Sequence, residues 1–217
     1  HAQILLLGSP LAHRDNPVRV AEEIAFLDCV SHGRIISGFV RGVPTECHPA
    51  NTNPTLTRER FEESHDLIMK AWTEPGPFNW EGKQWHYRYV NPWPRPIQQP
   101  HPPIWVTGSS PDNIRWIADH QYVHANFLQT YEQQEAQHQI YRERCAERGL
   151  QEPGPDKFAF MCLAYVGETD KQAQEQGRAL MWYLSAVRHL GFWNPPGYNS
   201  PEAAARIYMS RSYPSEM

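Results

Sequence analysis

Several signatures are missing from this chain, and each absence removes a class of function. No stretch approaches the roughly 18 consecutive apolar residues that a membrane-spanning helix requires. The short apolar segment Ile4-Leu5-Leu6-Leu7 has no basic flank, so it reads as a buried strand rather than a signal peptide. There is no basic excess: the formal net charge is −4 and the pI about 6.3, which argues against nucleic acid or an anionic membrane as partner. The four cysteines, Cys29, Cys47, Cys145 and Cys162, form no Cys-x-x-Cys pair. A disulfide framework or a cysteine zinc site is therefore not expected, and a reducing, cytoplasmic setting is. Neither a Gly-x-Gly-x-x-Gly fingerprint nor a Walker loop is present, which disfavours a dinucleotide Rossmann site and a P-loop. Among the eleven histidines, His120 and His124 are four apart. The residues between them read as strand, where that spacing does not converge on one ion, so no metal is expected. The sequence opens at His1 and closes at Met217, and the expectation is an interior piece of a longer protein.

What remains is an alternation of strand and helix. Gln3 to Gly8 reads as a strand. Asn16-Pro17 opens a helix, with Asn16 as N-cap and Pro17 in the first turn. Val20, Ile24 and Leu27, widened by Ala21 and Ala25, give it an apolar face, and Gly33 suits its C-terminal stop. Arg34 to Val40 is a second strand, Arg41 to Thr57 a long loop, and Arg58 to Trp72 a helix carrying Phe61, Ile68 and Trp72 on one side. His65 shares that side and reads as a hydrogen-bonded core residue. Residues 74–103 are rich in proline and aromatics. They read as an ordered insertion with a hairpin turning near Gly82, its aromatics either packing against helices or walling a pocket. Further strands are expected at Ile104–Thr107, Tyr122–Phe127 and Phe158–Val166. Further helices are expected at Pro111–Asp119, Tyr131–Arg148, Asp170 to about Leu190, and from Pro201.

About five β-α units in one domain, 1–217, imply a parallel sheet covered by helices. The rhythm alone fits an open doubly wound sheet or a closed barrel. A full (β/α)8 barrel runs about 250 residues, so five units plus an insertion would make a partial one.

Two segments suit an anion. In Gly38-Phe39-Val40-Arg41-Gly42-Val43, an arginine stands just past a strand end, where its guanidinium can take two phosphate oxygens. In Ile104-Trp105-Val106-Thr107-Gly108-Ser109-Ser110-Pro111-Asp112-Asn113, a strand turns through glycine and serines into a helix whose first amides are free. Each has an ordinary alternative: a surface arginine, and N-capping by Ser109 or Ser110. Together they suit one phosphate.

These segments, with Asn16-Pro17-Val18-Arg19-Val20-Ala21-Glu22-Glu23, Leu27-Asp28, Gly33-Arg34 and Trp116, resemble the luciferase-like, flavin-dependent monooxygenases from about Gln3 to His120. The resemblance implies a partial (β/α)8 TIM barrel, with reduced FMN as cofactor and a deazaflavin coenzyme as the alternative. It implies a flavin phosphate held by Arg41, Ser110 and Asn113, with Asn113 standing where the family usually has threonine. Val40, Gly42, Val43, Gly108 and Ser109 would line the same cofactor. A non-proline cis peptide is implied near Leu7-Gly8, also beside the flavin. Dioxygen, a small organic substrate and a separate flavin reductase are the implied partners, with homodimerisation an option. A non-catalytic flavin-binding protein is a further reading. The family's best-known catalytic histidine has no counterpart here, which leaves His13 and Glu46, in loops after strands, as candidates facing the substrate.

Overall fold

A computed structural model describes residues 2–127, 129–162 and 164–178. They fall into two compact units. The first holds His1–Gly42 and Thr57–Cys162; the second holds Val43–Leu56 and the described residues after Cys162.

The first unit is a five-stranded, wholly parallel sheet in the order β1-β2-β5-β6-β7, formed by β1 (Ile4–Pro10), β2 (Ile35–Val40), β5 (Ile104–Thr107), β6 (Val123–Phe127) and β7 (Phe158–Met161). Helices α1 (Pro17–Val30), α3 (Thr57–Thr73), α4 (Pro111–Asp119) and α5 (Tyr131–Arg148) connect them. Alternation of strand and helix in the sequence is thus realised as a mixed α/β fold with a parallel sheet.

Local chemistry sets the helix ends. Asn16 caps α1, its Oδ1 accepting from the Arg19 amide at 3.1 Å. Thr130 caps α5 through the Gln133 amide, and Gly149, in the left-handed region at φ 62°, ends it. The predicted face of α1 is right at Val20, Ala21, Ile24 and Ala25 but not at Leu27, which is 36% exposed. Asp28 takes the buried place instead. Its carboxylate accepts from the Ile97 and Gln98 amides at 2.9 and 3.0 Å and from Gln98 Nε2 at 2.7 Å. A buried carboxylate holding three donors is a fixed anchor for the proline-rich segment.

Between sheet and helices lies the core. Phe39 stacks on Trp72 with ring centroids 6.2 Å apart, and Phe61 meets Trp116 edge-on at 5.2 Å. His65 is buried among these rings, its Nδ1 2.9 Å from an Asp66 carboxylate oxygen and its Nε2 2.9 Å from the Tyr122 hydroxyl. The hydrogen-bonded core reading of this histidine holds.

The insertion contains the antiparallel pair β3 (Phe78–Glu81) and β4 (His86–Val90), turning at Gly82 as the sequence predicts. Glu63 of α3 fastens that turn, accepting from the amides of Lys83, Gln84 and Trp85 and from Trp80 Nε1 at 2.9 to 3.1 Å. Trp85 is buried, with the Arg60 guanidinium 4.7 Å from its ring centroid. Gly76-Pro77, Trp93-Pro94 and Gln99-Pro100 are cis.

Four sequence expectations are revised. The first strand, expected to end at Gly8, runs to Pro10 because Val40 continues the ladder opposite it. Tyr122 stands outside β6, since Gln121 adopts φ 56° and breaks the extended run between His120 and His124. The fifth strand stops at Met161 rather than Val166, its last pairing with β6 among the described residues being Phe127–Met161. In the second unit, the expected loop 41–57 contains a short helix, α2 (Pro44–Cys47), and a 3-10 turn at Pro54–Leu56. Pro44 stands at its first position, and the Val43 amide donates to the Glu46 carboxylate at 2.8 Å. Residues 170–178 are helical, as expected from Asp170 onward. The remainder of that helix and the one from Pro201 lie outside the described residues.

Candidate functional site

Parallel strands have all their C-termini at one edge of the sheet, and β2 and β5 are neighbours there: Phe39 pairs with Val106. Arg41 follows β2 and Gly108 follows β5, so the two anion-suited corners share one edge and sit side by side. Arg41 is exposed, and Gly42 adopts φ 97°, a conformation that favours glycine.

On the other flank of β2, the Leu7-Gly8 peptide is cis, at the position the resemblance implies. The β1–β2 register shifts between Leu6 and Ser9 at the same point. Gly38 makes this approach possible: a Cβ there would stand 2.1 Å from the Leu6 carbonyl oxygen and 3.0 Å from Leu7 Cα. Gly8 in turn lies directly against the Val40 side chain. Leu7-Gly8, inside β1, therefore packs directly against β2 at Gly38 and Val40, the residues that lead into Arg41 and Gly42.

At the β5–α4 corner, Ser110 is the N-cap, its Oγ accepting from the Asn113 amide at 3.4 Å. The Asn113 side chain folds back over the turn. Its Nδ2 donates to the Thr107 carbonyl at 3.2 Å, and it occupies the space a Cβ on Gly108 would need, 1.6 Å from that position. Asn113 thus acts on the turn itself, which is a different task from offering a hydroxyl to a ligand. Asp112, in the same helical turn, faces Arg115 at 3.3 Å. Ser109 and Ser110 are exposed.

Two residues that sequence reading passed over belong to this corner. Arg58, in the first turn of α3, donates to Asn113 Oδ1 at 3.5 Å and pairs with Glu62. A cation in the opening turn of a helix that starts at the strand-tip edge is a signal that was available. His124 of β6 is fully buried and bonds the Gly108 carbonyl at 2.8 Å through Nε2. Nothing in its sequence neighbourhood announces that contact. Burial lowers the affinity of its ring for a second proton; the Gly108 carbonyl acts the other way, and His138 adds to the lowering.

Three candidates from the sequence remain. His13 is half-buried at the end of the short 3-10 turn after β1, in the first unit. Val43 and Glu46 belong to the second unit, where the Val43 amide is bonded to the Glu46 carboxylate. Among the described residues, His65, Asp66 and His120 bring ligand-capable atoms within 4.8 Å of one another. Both His65 nitrogens are engaged by Asp66 and Tyr122, and His120 Nδ1 is 2.8 Å from the Trp116 carbonyl, so hydrogen bonding accounts for the cluster. No helix among the described residues is long and apolar enough to cross a membrane.

A parallel α/β sheet with two neighbouring corners at its strand C-termini belongs to the class of folds whose ligand sites generally lie at that edge. The particular lineage follows from comparison with known proteins. The sequence profile described as "Luciferase-like monooxygenase" matches residues 5–213, and the chain belongs to that family. The oxygenase component of flavin-dependent trigonelline monooxygenase from Acinetobacter baylyi is 29% identical over 109 residues, 49% of this chain and 30% of that relative. Among solved structures, the oxygenating constituent of 3,6-diketocamphane monooxygenase from Pseudomonas putida, in complex with FMN, has a TM-score of 0.70 at 21% identity, over 87% of this chain and 57% of that one. An F420-dependent secondary alcohol dehydrogenase with an F420-acetone adduct also has a TM-score of 0.70, at 16% identity, over 95% of this chain and 62% of that one. The chain spans only part of these relatives.

Proposed function

We propose that this chain provides the cofactor-binding edge of a flavin-dependent monooxygenase that uses reduced FMN and dioxygen to oxidise a small organic molecule. The observation that carries the reading is the adjacency of Arg41 and the Gly108-Ser109-Ser110 turn at neighbouring strand tips. The donor set fits a phosphate monoester. A guanidinium supplies a charge-assisted fork from one side, and backbone amides at the start of a nine-residue helix supply a partial positive charge from the other. Leu7, Gly8, Val40 and Gly42 line the rim on the Arg41 side, where close backbone approach admits a flat ring system.

Reduced flavin, when bound, supplies the electrons that activate dioxygen. The chain's own tasks are to grip the phosphate, orient the ring and shield it from water. Family membership supports this, as does a relative named as an oxygenase component, which also supports a separate reductase as partner.

A second reading keeps the site and changes the cofactor. The F420-dependent neighbour shares the fold equally well, so a deazaflavin coenzyme and hydride transfer without oxygen are the alternative.

The test is a titration of the whole protein with FMN and with a deazaflavin coenzyme, following fluorescence and then oxygen consumption with the reduced forms. FMN binding with oxygen uptake is the expected result; binding of the deazaflavin alone overturns the oxygenase reading. Arg41→Ala should remove a charge-assisted bond of about 1.5–3 kcal/mol and weaken FMN binding about tenfold or more. Unchanged affinity would place the phosphate elsewhere.

A further inference from the structure

The β5–α4 turn has a design feature that its own residues do not supply. Glycine has the widest backbone freedom of any residue, so a peptide following Gly108 has no intrinsic orientation. Yet two successive carbonyls at this corner are held by side chains, one from the first turn of α4 and one from the neighbouring strand β6. Thr107 O is taken by Asn113 Nδ2 at 3.2 Å, and Gly108 O by His124 Nε2 at 2.8 Å.

The second clamp comes from a neighbouring strand. β5 lies between β2 and β6, and His124 is on β6. The His124 ring stands on the face of β6 that α5 covers, and the Gly108 carbonyl is turned toward that ring. In a trans peptide the carbonyl and the following amide point opposite ways. The Ser109 N–H, on the other side of the same peptide, is then turned away from the His124 ring.

His124 itself is suited to a fixed role. The ring is 0% exposed, faces α5 with the His138 ring 6.3 Å away, and cannot swing without disturbing the core. Donation to a carbonyl requires the proton on Nε2. Nδ1 then has only a lone pair, and it meets no hydrogen-bond partner among the described residues. A side chain chosen for packing alone would not leave a buried nitrogen in that condition.

We propose that His124 is a positioning residue for anion binding: by clamping the Gly108 carbonyl from β6 it presets the Ser109 amide to receive a phosphate oxygen opposite Arg41. His124 touches no ligand in this scheme. The inference rests on the phosphate-site reading above and extends it to a residue one strand away.

The experiment compares FMN with riboflavin, which has the same ring system without the phosphate, in the whole protein. His124→Leu should lower FMN affinity about tenfold while leaving riboflavin affinity unchanged. His124→Gln, whose amide nitrogen can reach the same carbonyl, should recover most of the FMN preference; the shorter His124→Asn should not. If the leucine variant fails to fold, the glutamine and asparagine pair decides the matter by the same ratio. Equal losses for FMN and riboflavin, or no difference between the glutamine and asparagine variants, overturn the positioning role. Arg41→Ala separates this from the underlying reading. If Arg41→Ala loses FMN preference while every His124 variant keeps it, only the role of His124 falls. If the unaltered protein does not prefer FMN over riboflavin, the phosphate site falls and the role of His124 with it.

Discussion

At the end of β2, Phe39 and Arg41 are two residues apart and meet opposite conditions. Phe39 is sealed between Trp72 and His65, at 0% exposure. Arg41 stands in the open past the strand end. The same contrast holds on β5 and its turn, where Val106 is fully buried and Ser109 exposed. The helix-facing side of the sheet packs on rings, and the helices over it carry carboxylates, Asp28 and Glu63, that each accept several N–H donors. The strand tips carry glycines and backbone groups aimed outward. Stability and binding are therefore assigned to different residues a few ångströms apart, and a change on one side should leave the other largely intact.

Three experiments break or sharpen that division. The largest effect should come from Phe39→Ala, which empties a fully buried aromatic site and should cost about 3–5 kcal/mol in denaturant unfolding. A loss below about 1 kcal/mol would show that the helix-facing side is not where the stability resides. Acidification comes next. Burial holds the pKa of His65 and of His124 below the ordinary histidine value, with Asp66 opposing at His65 and the Gly108 carbonyl opposing at His124. His120 and His101 also disfavour a charge on His65, as His138 does on His124. The unfolded chain therefore takes up these protons first. Stability is full above the unfolded value of about 6.5 and declines as pH falls from there toward the depressed folded values. Thermal melts between pH 7.5 and 5 should fall by on the order of a few °C, and a flat or rising profile contradicts the neutral core. The smallest change is at the tips. Ser110→Ala removes the cap of α4 and should cost about 1 kcal/mol of stability. The comparison predicts that its effect on FMN affinity exceeds what that loss explains, as read by titration under conditions where the variant is fully folded.

Much of this organisation was legible in the residues. Asn16-Pro17 and Gly149 marked helix ends because capping is local chemistry, decided within a few residues of chain. The turn at Gly82 and the strands around Gly38 and Val106 were legible for the same reason. The resemblance in the segment from Gln3 to His120 supplied the Leu7-Gly8 cis peptide, which no propensity would suggest. Less visible was the inward turn of Asp28 in place of Leu27. An acidic residue on a helix reads as solvent-facing until its three donors, 69 and 70 residues along the chain, are placed beside it. Glu63 is the same case, its partners lying 17 to 22 residues away.

By itself, then, the sequence determined the order of strands and helices, their caps and turns, and the two segments suited to an anion, because each of these is written in residues close together in the chain. Only the tertiary structure decided that those segments adjoin at one edge, and that Arg58 and His124 serve the same corner. Sheet order is a matter of pairing between distant strands, and the partner of a carbonyl such as that of Gly108 is chosen by whichever side chain the neighbouring strand brings within reach.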